Sequence, residues 1–263
     1  MKKNHLLLLI LITVLTVPPI GIAQVNINSL TNKDDIINEY KNGNNNETRI
    51  QALQRLGTTM IDKRINSLSK GQTLLSEAVH VDNETKEALD EQLRENINNL
   101  TQLKASIEQQ TELKVLKNEV HSIITEYRIY LVIIPQVYGL AVINKEETLI
   151  NKLKTAQETM EATLAELVTA GYSTNEIQLL VDEAITNIAN AESHLSLAKS
   201  YFERMTVEDW KGAIDLKQDG RQEIVTIRKE LRSAKQNFHA AAVAMKKLIN
   251  PNYEDAEVAE TEE

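Results

Sequence analysis

The 263-residue chain carries 29 Lys and Arg against 38 Asp and Glu, a formal charge of −9, so it lacks the basic footprint that a nucleic-acid partner requires. It contains no cysteine, which excludes disulfides, thiolate metal sites, a Cys nucleophile and a lipid anchor built on Cys. Glycine (8) and proline (4) are scarce and aromatics make up 4%, a composition for long helices packed through Leu, Ile, Val, Ala and Met rather than for sheets.

Residues 1–23 read as a secretory signal peptide. Lys2 and Lys3 open it, Leu6 to Val17 is a short apolar run, and Pro18-Pro19 breaks it ahead of the small residues Gly21 and Ala23. The expectation is export, with cleavage near Ala23. The alternative is an uncleaved anchor, for which the apolar run is short against the ~20 residues a spanning helix needs. Without Lys2 and Lys3 the chain holds 27 basic and 38 acidic side chains, a formal charge of −11.

Residues 24–46 are polar and Asn-rich and read as a linker, with a short helix at Lys33 to Tyr40. Asn44-Asn45-Asn46-Glu47 is a helix-start signal. The first long helix is expected from Glu47 to Val79, with a seam of Ile61, Ile65, Leu68, Leu75 and Val79 and polar Gln72 in one slot. Asp82 and Asn83 mark a turn and a new start. The second helix, Glu84 to Gln109, alternates Leu89, Leu93, Asn96, Leu100, Leu103 and Ile107 at spacings of four and three, the rhythm of a coiled coil. Asn96 is expected at a solvated edge of that seam.

After a break at Gln110-Thr111 the rhythm resumes at Leu113, Leu116, Val120, Ile123, Tyr127, Tyr130, Ile134 and Val137. Pro135 predicts a kink or break. Asn144 with Glu147 suggests a fresh start, followed by Leu149, Leu153, Ala156, Met160, Thr163 and Leu167. Gly171 fits a helix end, and Ser173-Thr174-Asn175-Glu176 fits a capping box. The next seam is the cleanest: Ile177, Val181, Ala184, Ile188, Ala191, Leu195, Ala198, Phe202 and Met205. Thr206-Val207-Glu208-Asp209 suggests another cap, opening a short helix through Trp210 to Leu216, and Asp219-Gly220 a turn. The last helix, Arg221 to Ile249, buries Ile224, Ile227, Leu231, Ala234, Phe238, Ala241, Met245 and Leu248. Its length matches the helix before it, so the two are expected to pair antiparallel. Asn250-Pro251 ends the structure, and residues 251–263, with six acids and no base from Glu254 on, read as an acidic disordered tail.

The stretch from Ile129 to Ile143 is apolar nearly all round. The expectation is the crowded centre of a bundle; the alternative is a concealed membrane-inserting segment. Thr111 to Val137, from Thr-Glu-Leu-Lys-Val-Leu-Lys to Tyr-Leu-Val-Ile-Ile-Pro-Gln-Val, resembles a segment of uncharacterised, exported, helix-rich bacterial proteins. That resemblance implies an exported helical protein and supplies no site residues.

Little chemistry is legible. Glu77-Ala-Val-His80 has the Glu-x-x-His spacing, but a carboxylate-bridged di-metal bundle needs two such pairs, and no second copy exists. No Gly-rich phosphate loop, nucleophile elbow or His-Glu-x-x-His occurs. Trp210 reads as a plug closing one end of the bundle. Asn46, Asn83 and Asn99 begin glycosylation triplets that a bacterial source would leave unused.

The expected fold is therefore all-α, an elongated antiparallel helical bundle. It would comprise an N-terminal bundle (47–143) and a C-terminal bundle (144–250), as two three-helix units sharing a kinked central helix. A single five-helix bundle is the alternative. The expected function is that of an exported structural or protein-interaction protein of the cell envelope or extracellular space. No catalysis, cofactor, metal or nucleic acid is expected; protein partners or self-association are. The alternative is a membrane-active, pore-forming-like protein using 129–143.

Overall fold

The computed structural model describes residues 33–43, 45–125, 129–251 and 253, and every regular element among them is a helix. The expected signal peptide, the linker ahead of residue 33, Tyr127 and the acidic tail from residue 254 lie outside the described residues. Among the described residues seven helices succeed one another: α1 (Lys33–Asn42), α2 (Asn46–Glu77), α3 (Asn83–Gln109), α4 (Leu113–Thr125), α5 (Ile129–Thr169), α6 (Asn175–Glu203) and α7 (Trp210–Ile249). The fold is all-α.

Two compact units form. The mixed unit takes the described chain as far as Lys145 together with Ala198–Arg221; the three-helix unit takes Glu146–Leu197 and the chain from Gln222 on. Helices α5, α6 and α7 contribute to both.

Helix starts obey the polar signals in the sequence. Asn45 Oδ1 accepts from the Thr48 backbone N–H at 2.8 Å and so caps α2. Asp82 Oδ1 does the same for α3 through Thr85 N–H, also at 2.8 Å. Asp209 Oδ1 takes the Gly212 N–H, 3.0 Å, at the head of α7. Each side chain satisfies a backbone donor that the first turn leaves without a partner. The end of α5 closes as a Schellman motif: Tyr172 N–H donates to Leu167 O at 3.0 Å and Gly171 N–H to Val168 O at 2.9 Å. Gly171 has φ +86, which a side chain would strain.

In the mixed unit α2 packs against α1, α3 and α4. Helix α1 is anchored by buried Ile36, by an Arg55–Glu39 ion pair and by Lys117, whose ammonium sits 5.7 Å from the Tyr40 ring centroid. Residues 33–42 of the expected linker therefore form a packed helix. Helix α2 stops at Glu77 instead of Val79. Ala78 is extended, so the helical phase is lost, and Val79 turns 72% exposed while Ala78 and Val81 are buried. Asn96 corrects a second expectation, being only 6% exposed; its amide donates to Gln92 O in the preceding turn at 2.7 Å, which removes the cost of burying it.

Pro135 does not end α5, which runs unbroken from Ile129 to Thr169. A proline deprives the carbonyl four residues back of its donor. That residue is Leu131, 54% exposed, where water can take the donor's place. The expected start at Asn144 is absent as well. Asn144 Oδ1 instead accepts from the His80 backbone N–H at 2.8 Å, a tertiary bond rather than a cap. Around it Val132, Ile133, Val137, Leu140, Ala141 and Ile143 are buried in the mixed unit.

Nor does Gly220 make a turn. It lies inside α7, and its lack of a side chain answers to packing: a Cβ there would stand 2.7 Å from Phe202 Cε2. A Cβ on Gly139 of α5 would stand 2.3 Å from Phe202 Cδ1. The fully buried Phe202 ring thus occupies the space both positions leave open. Trp210 is half-buried at the first position of α7 rather than a closed plug.

In the three-helix unit the α6 and α7 seams fall where the 4–3 spacing puts them except at Leu195 and Leu248, which are half-buried. Ile177, Val181, Ala184, Ile188 and Ala191 are buried on α6, and Ile224, Ile227, Leu231, Ala234, Phe238, Ala241 and Met245 on α7. On α5 the buried line shifts by one: Ile150 and Leu164 replace Leu149 and Thr163, beside Leu153, Ala156, Met160 and Leu167. Each buried Leu or Ile contributes about 1.5–3 kcal/mol of apolar transfer free energy.

Candidate functional site

Polar side chains tie the helices of the three-helix unit together in pairs. Glu146 of α5 accepts from Arg228 Nε of α7 at 2.7 Å, the carboxylate side chain 7% and the guanidinium side chain 31% exposed. His194 Nδ1 of α6 lies 2.5 Å from Glu223 Oε2 of α7. Lys154 of α5 pairs with Glu192 of α6, and Asn237 Nδ2 of α7 donates to Glu183 of α6 at 3.4 Å. Along α6 and α7 the partners run 183 with 237 and 194 with 223, so these helices are antiparallel as expected, although the expected match in length fails: α6 has 29 residues and α7, which starts at Trp210 and runs through Gly220, has 40. Glu146, His194, Glu223 and Arg228 had no signal in the sequence, since the paired residues lie 82 and 29 positions apart.

These pairs are links between helices. Two shallow concave features occur among the described residues. In the mixed unit a groove of about 480 Å³ is lined by Gln72, Thr73, Leu75 and Ser76 of α2 and by Lys86, Glu87, Asp90 and Arg94 of α3. Asp90 is already engaged there by Gln72 Nε2 at 2.9 Å and by Arg94. In the three-helix unit a depression of about 320 Å³ lies along α6, lined by Leu179, Asp182, Glu183, Thr186 and Asn187. Leu179 stands largely exposed in it beside two carboxylates. A solvated apolar side chain rimmed by one sign of charge suits contact with a surface of the opposite sign.

Charge is distributed unevenly over this unit. From Asn175 to Leu197, α6 holds Glu176, Asp182, Glu183 and Glu192 and no Lys or Arg. The solvent face of α7 in the same unit exposes Lys229, Arg232, Lys235 and Lys247, while its acids Glu223 and Glu230 are half-buried.

The Glu77–His80 spacing does not become a metal pair. Glu77 is the last residue of α2 and His80 lies beyond the helix, so the shared helix face the motif needs is not formed. Among the described residues no group of three or more His, Asp or Glu side chains could hold a metal ion. No described helix is long and apolar enough to cross a membrane.

Among the described residues, two titratable groups depart from their ordinary values. The Asp82 carboxyl is held below its usual 3.8, first by the Thr85 backbone N–H it accepts. The Lys104 ammonium is held above 10.5, first by its hydrogen bond to Asp62, 2.7 Å away. Both reflect local structure, a cap and an α2–α3 ion pair. Compared with known protein families, curated proteins and solved structures, the chain matches none.

Proposed function

We propose that the chain is an exported structural or protein-interaction protein of the cell envelope or extracellular space, acting through its helix faces and not through catalysis. Export rests on the Met1–Ala23 pattern and on the resemblance over residues 111–137. The single observation that carries the interaction reading is the α6 face: an apolar seam on one side, and on the other an exposed Leu179 set among Asp182 and Glu183 with no Lys or Arg in the segment. Such a face fits a protein partner that presents basic side chains around an apolar pocket.

Cross-linking and pulldown from the producing cell's envelope test this. The expected result is one specific partner, its recovery reduced at least tenfold by Asp182→Lys with Glu183→Lys while the unfolding profile is unchanged. Equal recovery by the double variant removes the α6 face from the reading. A turnover activity abolished by one point substitution would remove the non-catalytic reading altogether. The exported protein is expected to begin at Gln24; material starting at Met1 would place it on an uncleaved anchor.

Burial of Val132, Ile133, Val137, Leu140 and Ile143 supports a core role for the apolar stretch of α5. Dye release from liposomes addresses the membrane-active alternative, and leakage that requires this stretch would restore it.

A further inference from the structure

The basic stripe on α7 is out of keeping with an acidic protein. Lys229, Arg232, Lys235 and Lys247 are all exposed there, with His239 between them. On the buried side of the same helix lie Ile224, Ile227, Leu231, Ala234 and Phe238, so the four charges share the outward face by helical geometry. No carboxylate on that helix segment is exposed; Glu223 is engaged by His194, and Glu230 is half-buried. Glu183 of α6 approaches from the side but is met by Asn237.

The end of α7 adds a second observation. After Ile249 the chain turns: Tyr253 N–H donates to Asn250 O at 2.9 Å. The Tyr253 ring then lies against the last turn of α7, 4.8 Å from the Lys246 ammonium, which also donates to the Tyr253 hydroxyl at 3.0 Å. The Tyr253 side chain is therefore held against the last turn of α7, at the root of the segment that follows. Beyond Tyr253 the sequence is Glu-Asp-Ala-Glu-Val-Ala-Glu-Thr-Glu-Glu, with six acids and no base.

We infer that the outward face of α7 is an anion-docking surface whose occupant in the free protein is this chain's own acidic tail, residues 254–263. The lengths agree. Lys229 to Lys247 spans about 27 Å at ~1.5 Å per helical residue, and ten extended residues reach about 33–36 Å. The attraction is between solvated charges, so it is screened beyond ~8 Å at physiological ionic strength. Covalent tethering compensates by keeping the effective concentration of the tail high. A tail held this way masks the basic face until a more strongly anionic surface displaces it.

Zero-length carbodiimide coupling on the purified chain tests this, because it joins a carboxylate to an amine only where the two meet. The Lys154–Glu192 pair is the internal positive control. The expected products are monomers in which tail peptides are joined to Lys229, Lys235 or Lys247. Their yield should fall at least fivefold in about 1 M salt. It should fall at least threefold in Arg232→Gln, which removes one charge from the face and adds neither an amine nor a carboxylate that could couple. Three results would each overturn the inference: Lys154–Glu192 coupling without tail coupling, tail coupling only within covalent dimers, or tail coupling to exposed Lys70 and Lys114 as often as to the α7 lysines.

Discussion

On α6, Val181, Ala184, Ile188 and Ala191 repeat a four–three interval, and each is buried within the three-helix unit. The mixed unit has such a seam on α3, where Leu89, Leu93, Asn96, Leu100 and Ile107 are buried, but it adds single fittings: Phe202 in the space left by Gly139 and Gly220, Asn144 against the His80 backbone, Ala78 breaking the phase of α2. A repeating seam spreads its stabilisation over many equivalent contacts. A fitting concentrates it in a few, and those few are invisible to periodicity.

The largest expected effect tests that contrast. Phe202→Ala should destabilise the mixed unit by about 3–5 kcal/mol, the range for emptying a buried aromatic site. Gly139→Ala alone should also destabilise it, by about 1–3 kcal/mol of overpacking, despite the better helix propensity of Ala. In the Phe202→Ala background the same Gly139→Ala should become neutral or stabilising, because its Cβ then enters vacated space. Urea unfolding monitored by circular dichroism reads all three; a Gly139→Ala cost that stays unchanged in the double variant would refute the Phe202 fitting.

Within the three-helix unit the Glu146–Arg228 pair behaves as a fitting too. Arg228→Met should cost about 2–3 kcal/mol by leaving a buried carboxylate without its partner, less than the ~3–5 of a fully buried pair because Arg228 is 31% exposed. The double change Glu146→Met, Arg228→Met should restore most of that loss. Equal losses in the single and double variants would show that the pair is not coupled.

Small residues in the seam set a third expectation. Ala184 is fully buried, and Ala184→Leu should destabilise by about 1–3 kcal/mol by forcing the helices apart. A thermal melt that rises instead would show that the seam holds unfilled space.

The smallest effect is at a cap. Asp82→Ala should cost about 1 kcal/mol. Its pH dependence has a definite sign: a carboxyl held below its ordinary 3.8 in the folded protein stabilises at pH above that value, and the contribution is lost as pH falls through the lowered one. The gap between the parent and Asp82→Ala should therefore narrow as pH falls below the ordinary 3.8 and through the lowered value. A constant gap would show that the carboxylate charge is not what caps α3.

Several elements are legible in the sequence without any tertiary structure. The starts at Asn45, Asp82 and Asp209, the stop at Gly171 and the seams of α6 and α7 all depend on interactions within one or two turns, which neighbouring residues specify. Sequence and structure part where a local signal serves a distant purpose. Asn144 resembles a cap and bonds the backbone at residue 80; Gly220 resembles a turn and makes room for Phe202; Asn96 resembles an edge position and is buried with its amide satisfied. Of the candidate site, the acidic run of α6 and the acidic tail can be read directly. That Leu179 stands exposed among those acids, and that the bases of α7 share one solvent face, required the packed helices.

By itself, then, the sequence determined that this chain is helical, where most of its helices begin, and which stripe of α6 and α7 turns inward, because hydrogen bonding and amphipathic spacing act over a few residues. Only the tertiary structure decided that α5 runs through Pro135, that Glu146 meets Arg228, and that α7 carries its positive charges outward with the Tyr253 ring against its last turn. Those outcomes depend on which distant side chains share a given volume, and the spacing of apolar residues along one helix does not encode that.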